Sequence, residues 1–427
     1  MMSRQHDYDR EHEKIGYQPT AEQIAQYSRR DFLKISALAG AGAYGALSLP
    51  GLGVVPSAWG APAANRVVRV HCGTMQDWNF SDPAFYNYVK QPVYDDMFAR
   101  GITSLTGRQN VVQAWSELLV GYQPGDKIAI KLNLNSYDEN ANQTVEMAYA
   151  VIESLKQFGV QASDMKVFDV VRKFPDYWRN RWSSDVQYVN NVGVDWDGNA
   201  TVYFPAIDTS HRFPSVLSQC DHLIVLGLQK GHKGYITGSM KNHFGSQELP
   251  ADLHISRYDN ICTLANSPFV KGKTRLIVVE AAFMTWDHEG HPFEETYATD
   301  LFPVGVSGHS SPNFMMFGTN MVVIDSLLGD IQNHERAARG EVQWSNDYID
   351  MAAAAPYNIG PREEGTIVSN ASGWSAVDLR YNTYDYVSFS LPPVTRKEID
   401  ALNLRLRAGS IHWSQLQHLV ERYNAQL

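Results

Sequence analysis

Residues 222–254 read HLIVLGLQKGHKGYITGSMKNHFGSQELPADLH. After His222 the run to Leu228 is apolar without alternation, the pattern of a strand buried on both faces of a parallel sheet. The chain then turns polar at Lys230, His232 and Lys233. A glycine-rich segment from Gly231 to Gly245 follows, carrying Lys241, Asn242 and His243, with His254 beyond it. Open α/β sheets bind ligands in the crevice outside the carboxyl ends of their strands. A buried strand that opens into lysines, imidazoles and an amide therefore marks both the fold class and the place to look for a site.

The flanking sequence repeats this alternation. Val67 to Cys72 and Lys127 to Leu132 read as strands, the second introduced by the turn Gln123-Pro124-Gly125-Asp126. Asn110 to Val120 and Thr144 to Phe158 space their apolar residues along one helix face, with Thr144 as a cap and Gly159 just past the end of the second. Lys166 to Val171 and Arg275 to Ala281 are further strands. Met321 to Ile324 reads as another, running into a helix over Asp325 to Ala338. Residues 172–215 and 341–395 are aromatic-rich and aperiodic, the first with a hairpin of which Thr201 to Phe204 is one arm. Helices over Arg396 to Leu406 and Ser414 to Leu427 close the chain. The expected fold is α/β, a mostly parallel sheet flanked by helices in three layers, with irregular insertions, in one domain spanning 64–427.

The 427 residues are 44% hydrophobic and 19% charged, with a net charge of −10, so the footprint of a nucleic-acid binder is missing. The three cysteines, Cys72, Cys220 and Cys262, are widely spaced and form no C-x-x-C, which excludes an intrinsic iron–sulfur cluster or a cysteine-rich zinc site. An odd count leaves at least one thiol unbridged.

Ser28-Arg29-Arg30-Asp31-Phe32-Leu33-Lys34 precedes an Ala/Gly-rich apolar stretch from Ile35 to Leu49 and a small-residue region ending Ala61-Pro62-Ala63. This matches a twin-arginine export signal, cleaved after Gly60 or Ala63, in a stretch too short for a convincing membrane span. The expected route is the twin-arginine translocase and the expected location the periplasm. That route carries folded proteins, often with a cofactor inserted beforehand, and the scarcity of free nucleotides outside the cytoplasm argues against nucleotide-dependent chemistry.

Three strand ends offer chemistry if they converge: Lys131, Asn133 and Asn135; Lys230, His232 and Lys233; and Glu280 followed by Asp287, His288, Glu289 and His291. Two readings follow. Lys131, Lys230 and Lys241, with Asn133, Asn242 and glycine-rich backbone amides, suit an anionic group such as phosphate or carboxylate. Alternatively, His232, His243 and His254 with Glu280 suit a divalent metal. Gly234-Tyr-Ile-Thr-Gly238-Ser-Met-Lys241 lacks the spacing of a P-loop. No G-x-S-x-G or H-E-x-x-H occurs, which withdraws support from the standard serine-hydrolase and zincin readings, and His309 in its Ser/Gly loop is not expected to partner a nucleophile.

Gly125-Asp-Lys-Ile-Ala-Ile-Lys131-Leu-Asn133, Lys230-Gly-His232, Lys241-Asn242-His243-Phe-Gly245 and Asp325 resemble, in order and spacing, the family termed domain of unknown function 362, over roughly residues 65–340. The resemblance implies an α/β fold with a polar centre at Lys131, Asn133, Lys230, His232, Lys241 and Asn242. It supplies no reaction. Ferredoxin-like domains in some relatives imply redox surroundings. Leu132 stands where relatives often have proline, and Asn320 where an aspartate is common. The expected function is an exported enzyme with a metal- or anion-holding crevice in periplasmic redox metabolism, with Lys230, His232 and Lys241 catalytic. The alternative is a non-catalytic carrier or maturation partner for an exported redox enzyme.

Overall fold

The computed structural model describes residues 66–407 except 79–81, 83, 137–141, 233, 287–311, 364–366, 369–377, 380–384 and 392–393, together with 419, 420, 423 and 424. The twin-arginine segment, Lys233, the stretch Asp287 to His291, His309 and most of the expected helix from Ser414 lie outside these residues.

In chain order the larger compact unit, which ends at Leu391, comprises β1 (Arg66–His71), α1 (Gln91–Thr106), α2 (Val111–Leu118), β2 (Ile128–Lys131), α3 (Val145–Phe158), β3 (Met165–Phe168), α4 (Asp176–Arg181), β4 (Gln187–Val189), the hairpin β5 (Trp196–Phe204) and β6 (Thr209–Pro214), β7 (His222–His232), β8 (Tyr235–Ile236), α5 (Arg257–Ala265), β9 (Thr274–Thr285), β10 (Phe314–Gly318), α6 (Met321–Ala338), α7 (Asp347–Ala353), the small ribbon β11 (Ile367–Val368) and β12 (Asp378–Leu379), and β13 (Asp385–Ser390). A second unit contains α8 (Arg396–Arg407), whose Ile399 and Leu402 cluster with Val394, Leu419, Val420 and Tyr423.

Nine strands form one mixed, mostly parallel sheet in the order β13-β1-β10-β9-β7-β2-β3-β4, with β8 added to β7. The run β9-β7-β2-β3-β4 is parallel throughout, β1 and β13 pair in parallel, and β10 runs antiparallel to both of its neighbours. The period of two along each strand divides the core. On one face Val225, Ile277, Val279 and Met316 pack with Ile261 of α5, Ile324 of α6 and Ile349 of α7. On the other, Ile130, Leu226, Val278 and Phe317 pack with Tyr94 and Phe98 of α1, Trp115 of α2 and Val151 of α3. Because both faces are covered, β7 is buried along its whole length, which is why its sequence does not alternate.

Local signals place the helix ends. The Thr144 side chain accepts from Met147 N at 3.3 Å, and Gly159, at φ 110°, closes α3 onto the Leu155 and Lys156 carbonyls. The expected strand over Met321 to Ile324 is instead the first turn of α6. Asn320 Oδ1 accepts from Val322 N at 3.0 Å and Val323 N at 3.3 Å, and this N-cap commits the apolar residues to a helix, while the strand lies upstream at Phe314–Gly318. β7 and β9 also run past their expected ends, to His232 and Thr285, so Lys230 and His232 are strand residues rather than turn residues, while Glu280 lies within its strand as expected. Residues 341–395, expected to be irregular, contribute the edge strand β13 beside β1. The 172–215 insertion contains the expected hairpin. All three cysteines are free and buried, and burial pushes the thiols of Cys220 and Cys262 up to about 11 and about 12, so both stay protonated.

The segment after β8 lies close against β7. A Cβ on Gly227 would sit 2.6 Å from the Gly238 carbonyl oxygen, and neither partner is a flexible side-chain end. Gly227→Ala is therefore expected to cost about 1–3 kcal/mol in denaturant unfolding and to loosen the segment that carries Lys241 and Asn242; an unchanged midpoint would show that the approach is not tight.

Candidate functional site

The order of connection locates the site. From β2 the chain moves outward through β3 to β4, then returns across β2 to place β7 on its other side and β9 beyond. The direction of winding reverses between β2 and β7, and such a switch point opens a crevice at the carboxyl ends of the two strands. The last paired residues there are Lys131 and Val225, and β7 continues to His232 beyond the end of β2. The three strand ends expected to meet, those of β2, β7 and β9, are adjacent.

The short 3-10 turn Lys241–Ser246 lies across this crevice. Asn242 Nδ2 donates to the Leu226 carbonyl of β7 at 2.8 Å, and Val170 N, just after β3, donates to the Gly245 carbonyl at 3.1 Å. Its anchor is Asp325 on α6. Oδ1 accepts from Ser239 N at 2.6 Å and Ser239 Oγ at 2.8 Å, and Oδ2 accepts from Met240 N at 3.1 Å and Tyr348 Oη at 3.2 Å. Burial pushes the Asp325 carboxyl up to about 6, against the pull of these donors.

Lys131 is fully buried at the inner end. Its ammonium donates to the Leu132 carbonyl, to Asn242 Oδ1 at 3.0 Å and to Asp169 Oδ2 at 3.1 Å, and lies 5.8 Å from the Phe168 ring centroid. Burial lowers its pKa, and Asp169 works in the opposite sense. Asp169 also accepts from Leu134 N and Val171 N, both at 3.1 Å. Leu132 N donates to the Phe168 carbonyl at 2.9 Å, a bond that a proline at this position would lack.

Outward from this pair, Lys230 Nζ lies 3.5 Å from Asn133 Oδ1, while Asn133 Nδ2 is buried with no hydrogen-bond partner among the described residues. His243 is buried, with Nδ1 3.0 Å from Ser246 Oγ and Nε2 lacking a partner among the described residues. Burial, reinforced by the Lys131 charge, lowers its pKa to about 3, so its imidazole is neutral near pH 7. The His232 and His254 rings lie 5.3 Å apart at 34°. The Lys241 ammonium lies 5.2 Å from the Tyr235 ring centroid and 5.3 Å from that of Phe244, and the Phe244 ring meets His254 edge-on at 5.2 Å.

The expected metal set does not assemble. Glu280 accepts from Tyr94 Oη at 2.5 Å, from Thr144 N at 3.1 Å and from Gln143 Nε2, so its oxygens are spent at the start of α3. Burial raises its pKa, with the donors acting the other way. Among the described residues, no group of three or more His, Cys, Asp or Glu side chains is placed to hold a metal ion. Of the residues read for an anion, Lys131 meets Asn242 and Lys230 meets Asn133. Sequence reasoning missed Asp169 and Tyr235. An aspartate inside the apolar run VFDVV was a usable signal for the first, whereas the tyrosine position carries none.

Residues 128–328 match a family model. That model is described as Domain of unknown function (DUF362). No curated protein matches the chain. The matched segment runs from the start of β2 into α6, so it contains Lys131, Asn133, Lys230, His232, Lys241, Asn242, Glu280 and Asp325. It supports the resemblance read from the sequence and assigns no reaction.

Two outcomes test this geometry. Lys131→Met is expected to cost about 3–5 kcal/mol because it strands a buried carboxylate, and adding Asp169→Asn is expected to restore a large part of the loss; additive costs in denaturant unfolding would contradict a coupled pair. The second concerns Asp325. Its folded pKa lies above the ordinary 3.8, so the folded state holds a proton that the unfolded state releases, and its contribution to stability is lost as pH rises from about 4 through about 6. His243, with its lowered pKa, acts in the opposite direction, so the diagnostic quantity is the difference between proteins. The stability of the wild type relative to Asp325→Asn is expected to fall across that window, as read from denaturant midpoints between pH 4 and pH 8.

Proposed function

We propose that the chain is an exported enzyme acting on a small organic anion, a carboxylate or phosphate, held at the β2/β7 switch point. The observation that carries this is the Asn133 amide. Its oxygen is engaged with Lys230 Nζ, and its NH2 group is buried without a partner among the described residues. A buried donor left unsatisfied costs about 1–3 kcal/mol, and an oxyanion placed against Asn133 Nδ2 and Lys230 Nζ would accept from both. In this reading Lys131, tied to Asp169 and Asn242, supports the floor of the crevice and adds to its positive potential. Lys230, His232 and Lys241 surround the reacting part of the ligand: the lysines stabilise negative charge and the His232–His254 pair moves a proton. Export rests on Ser28, Arg29, Arg30, Phe32, Leu33 and Lys34, which fit a twin-arginine signal and would deliver the folded protein to the periplasm.

The reading predicts that small carboxylates or phosphate esters raise the melting temperature of the mature protein and bind saturably. Lys230→Gln and Asn133→Asp are each expected to weaken that binding by roughly 10-fold or more. Retained affinity in both variants would sink the anion crevice. Saturable binding with no consumption of any bound compound would favour a carrier over an enzyme.

A further inference from the structure

Outside the crevice lies an open cleft of about 350 Å³ lined by His254, Ser256, Arg257, Tyr258, Asp259 and Met351. This volume falls in the range of small-ligand sites. Arg257, the first residue of α5, holds its guanidinium 5.0 Å from the Tyr235 ring centroid and 5.1 Å from that of Tyr258. These aromatic faces fix the group in place, yet it makes no hydrogen bond or ion pair among the described residues, so its N–H donors are unspent. Asp259 shares the cleft without pairing with Arg257, and its charge bears on Cys262 and Tyr357. Ser256, in the left-handed region at φ 40°, gives α5 no side-chain cap, which leaves first-turn amides at the same rim.

The cleft borders the crevice, and two side chains touch both. His254 lines the cleft and packs on His232, two residues beyond Lys230 on β7. Tyr235 is the other link, since its ring carries the Lys241 ammonium at 5.2 Å as well as the Arg257 guanidinium at 5.0 Å. A planar guanidinium held rigid, unpaired and facing a cleft matches the two oxygens of a carboxylate or phosphate. The geometry points to a second anion subsite at Arg257, so that the ligand carries two negatively charged groups, one at Lys230 and Asn133 and one at Arg257. This rests on the inner crevice being an anion site and adds the class of ligand: dicarboxylates and phosphorylated carboxylic acids rather than simple monoanions.

The test is calorimetric titration of the mature protein with dicarboxylates from malonate to adipate and with 3-phosphoglycerate, each against a monocarboxylate of matched length. The wild type is expected to bind at least one dianion roughly 10-fold more tightly than its matched monoanion. Arg257→Gln is expected to erase that difference while leaving monoanion affinity unchanged, Arg257→Lys to keep part of it, and Lys230→Gln to weaken both classes. Equal affinity for dianions and monoanions in the wild type, with dependence on Lys230 intact, would overturn the Arg257 subsite and leave the inner crevice standing. Loss of monoanion affinity in Arg257→Gln as large as the loss of dianion affinity would also overturn it, because Arg257 would then serve the inner group. No binding of any of these anions to the wild type would overturn the crevice and the subsite together.

Discussion

A lysine ammonium with no access to water cannot stay charged without oxygens around it, and Lys131 draws its oxygens from three parts of the chain. The Leu132 carbonyl comes from the end of β2, Asp169 from the end of β3, and Asn242 from the turn that crosses both. Each partner is in turn held elsewhere: Asn242 by the Leu226 carbonyl of β7, and Asp169 by the amides of Leu134 and Val171. The cost of burying this charge is offset only when all of these segments are in register. The requirement gathers the carboxyl ends of three parallel strands around one point, and the crevice begins where that point ends.

The same logic explains why the turn over residues 241–246 can be so polar and so buried. Asp325 faces four donors from a helix on one side of the sheet and thereby fixes Ser239 and Met240, which deliver Lys241, Asn242 and His243 to the strand ends. Gly227 and Gly238 permit the approach, since a Cβ on Gly227 would meet the Gly238 carbonyl and one on Gly238 would meet Asp325 Oδ1. Glycine in the HLIVLGL run is therefore a spacing requirement imposed by the roof of the site. It is not a weakness in the strand.

Much of this was legible in the residues. The unalternating run from Leu223 to Leu228 announced a central parallel strand, and Thr144 with Gly159 marked a helix that the structure reproduces at both ends. The polar residues after β2 and on β7 were legible as one site because parallel strands share a carboxyl edge. What failed were boundaries and partnerships. MVVI was read as a strand because apolar, β-branched residues suit either state, and only the Asn320 cap decides between them. The helix Gln91–Thr106 passed unread, although Val93, Tyr94, Met97, Phe98, Ile102 and Leu105 form one apolar face. Edge strand β13 could not be seen, because its pairing with β1 joins residues more than 300 positions apart.

Glu280 shows why composition overstates a metal site. Three histidines and a carboxylate near strand ends look like a ligand set, but a ligand needs its lone pairs free, and those of Glu280 serve Tyr94, Gln143 and the amide of Thr144. His243 Nδ1 is held by Ser246 and the His232 and His254 rings lie against each other, but no third His, Cys, Asp or Glu among the described residues completes a ligand set with them. The lysines behave differently. Their positive charge is set by residue type, and the Tyr235 and Phe244 rings and the Asn133 amide oxygen lie against it. At the inner end of the crevice Asp169 pairs with Lys131 at 3.1 Å. The proposed anion therefore rests on the buried Asn133 Nδ2 donor beside Lys230, a position that a negatively charged oxygen would satisfy.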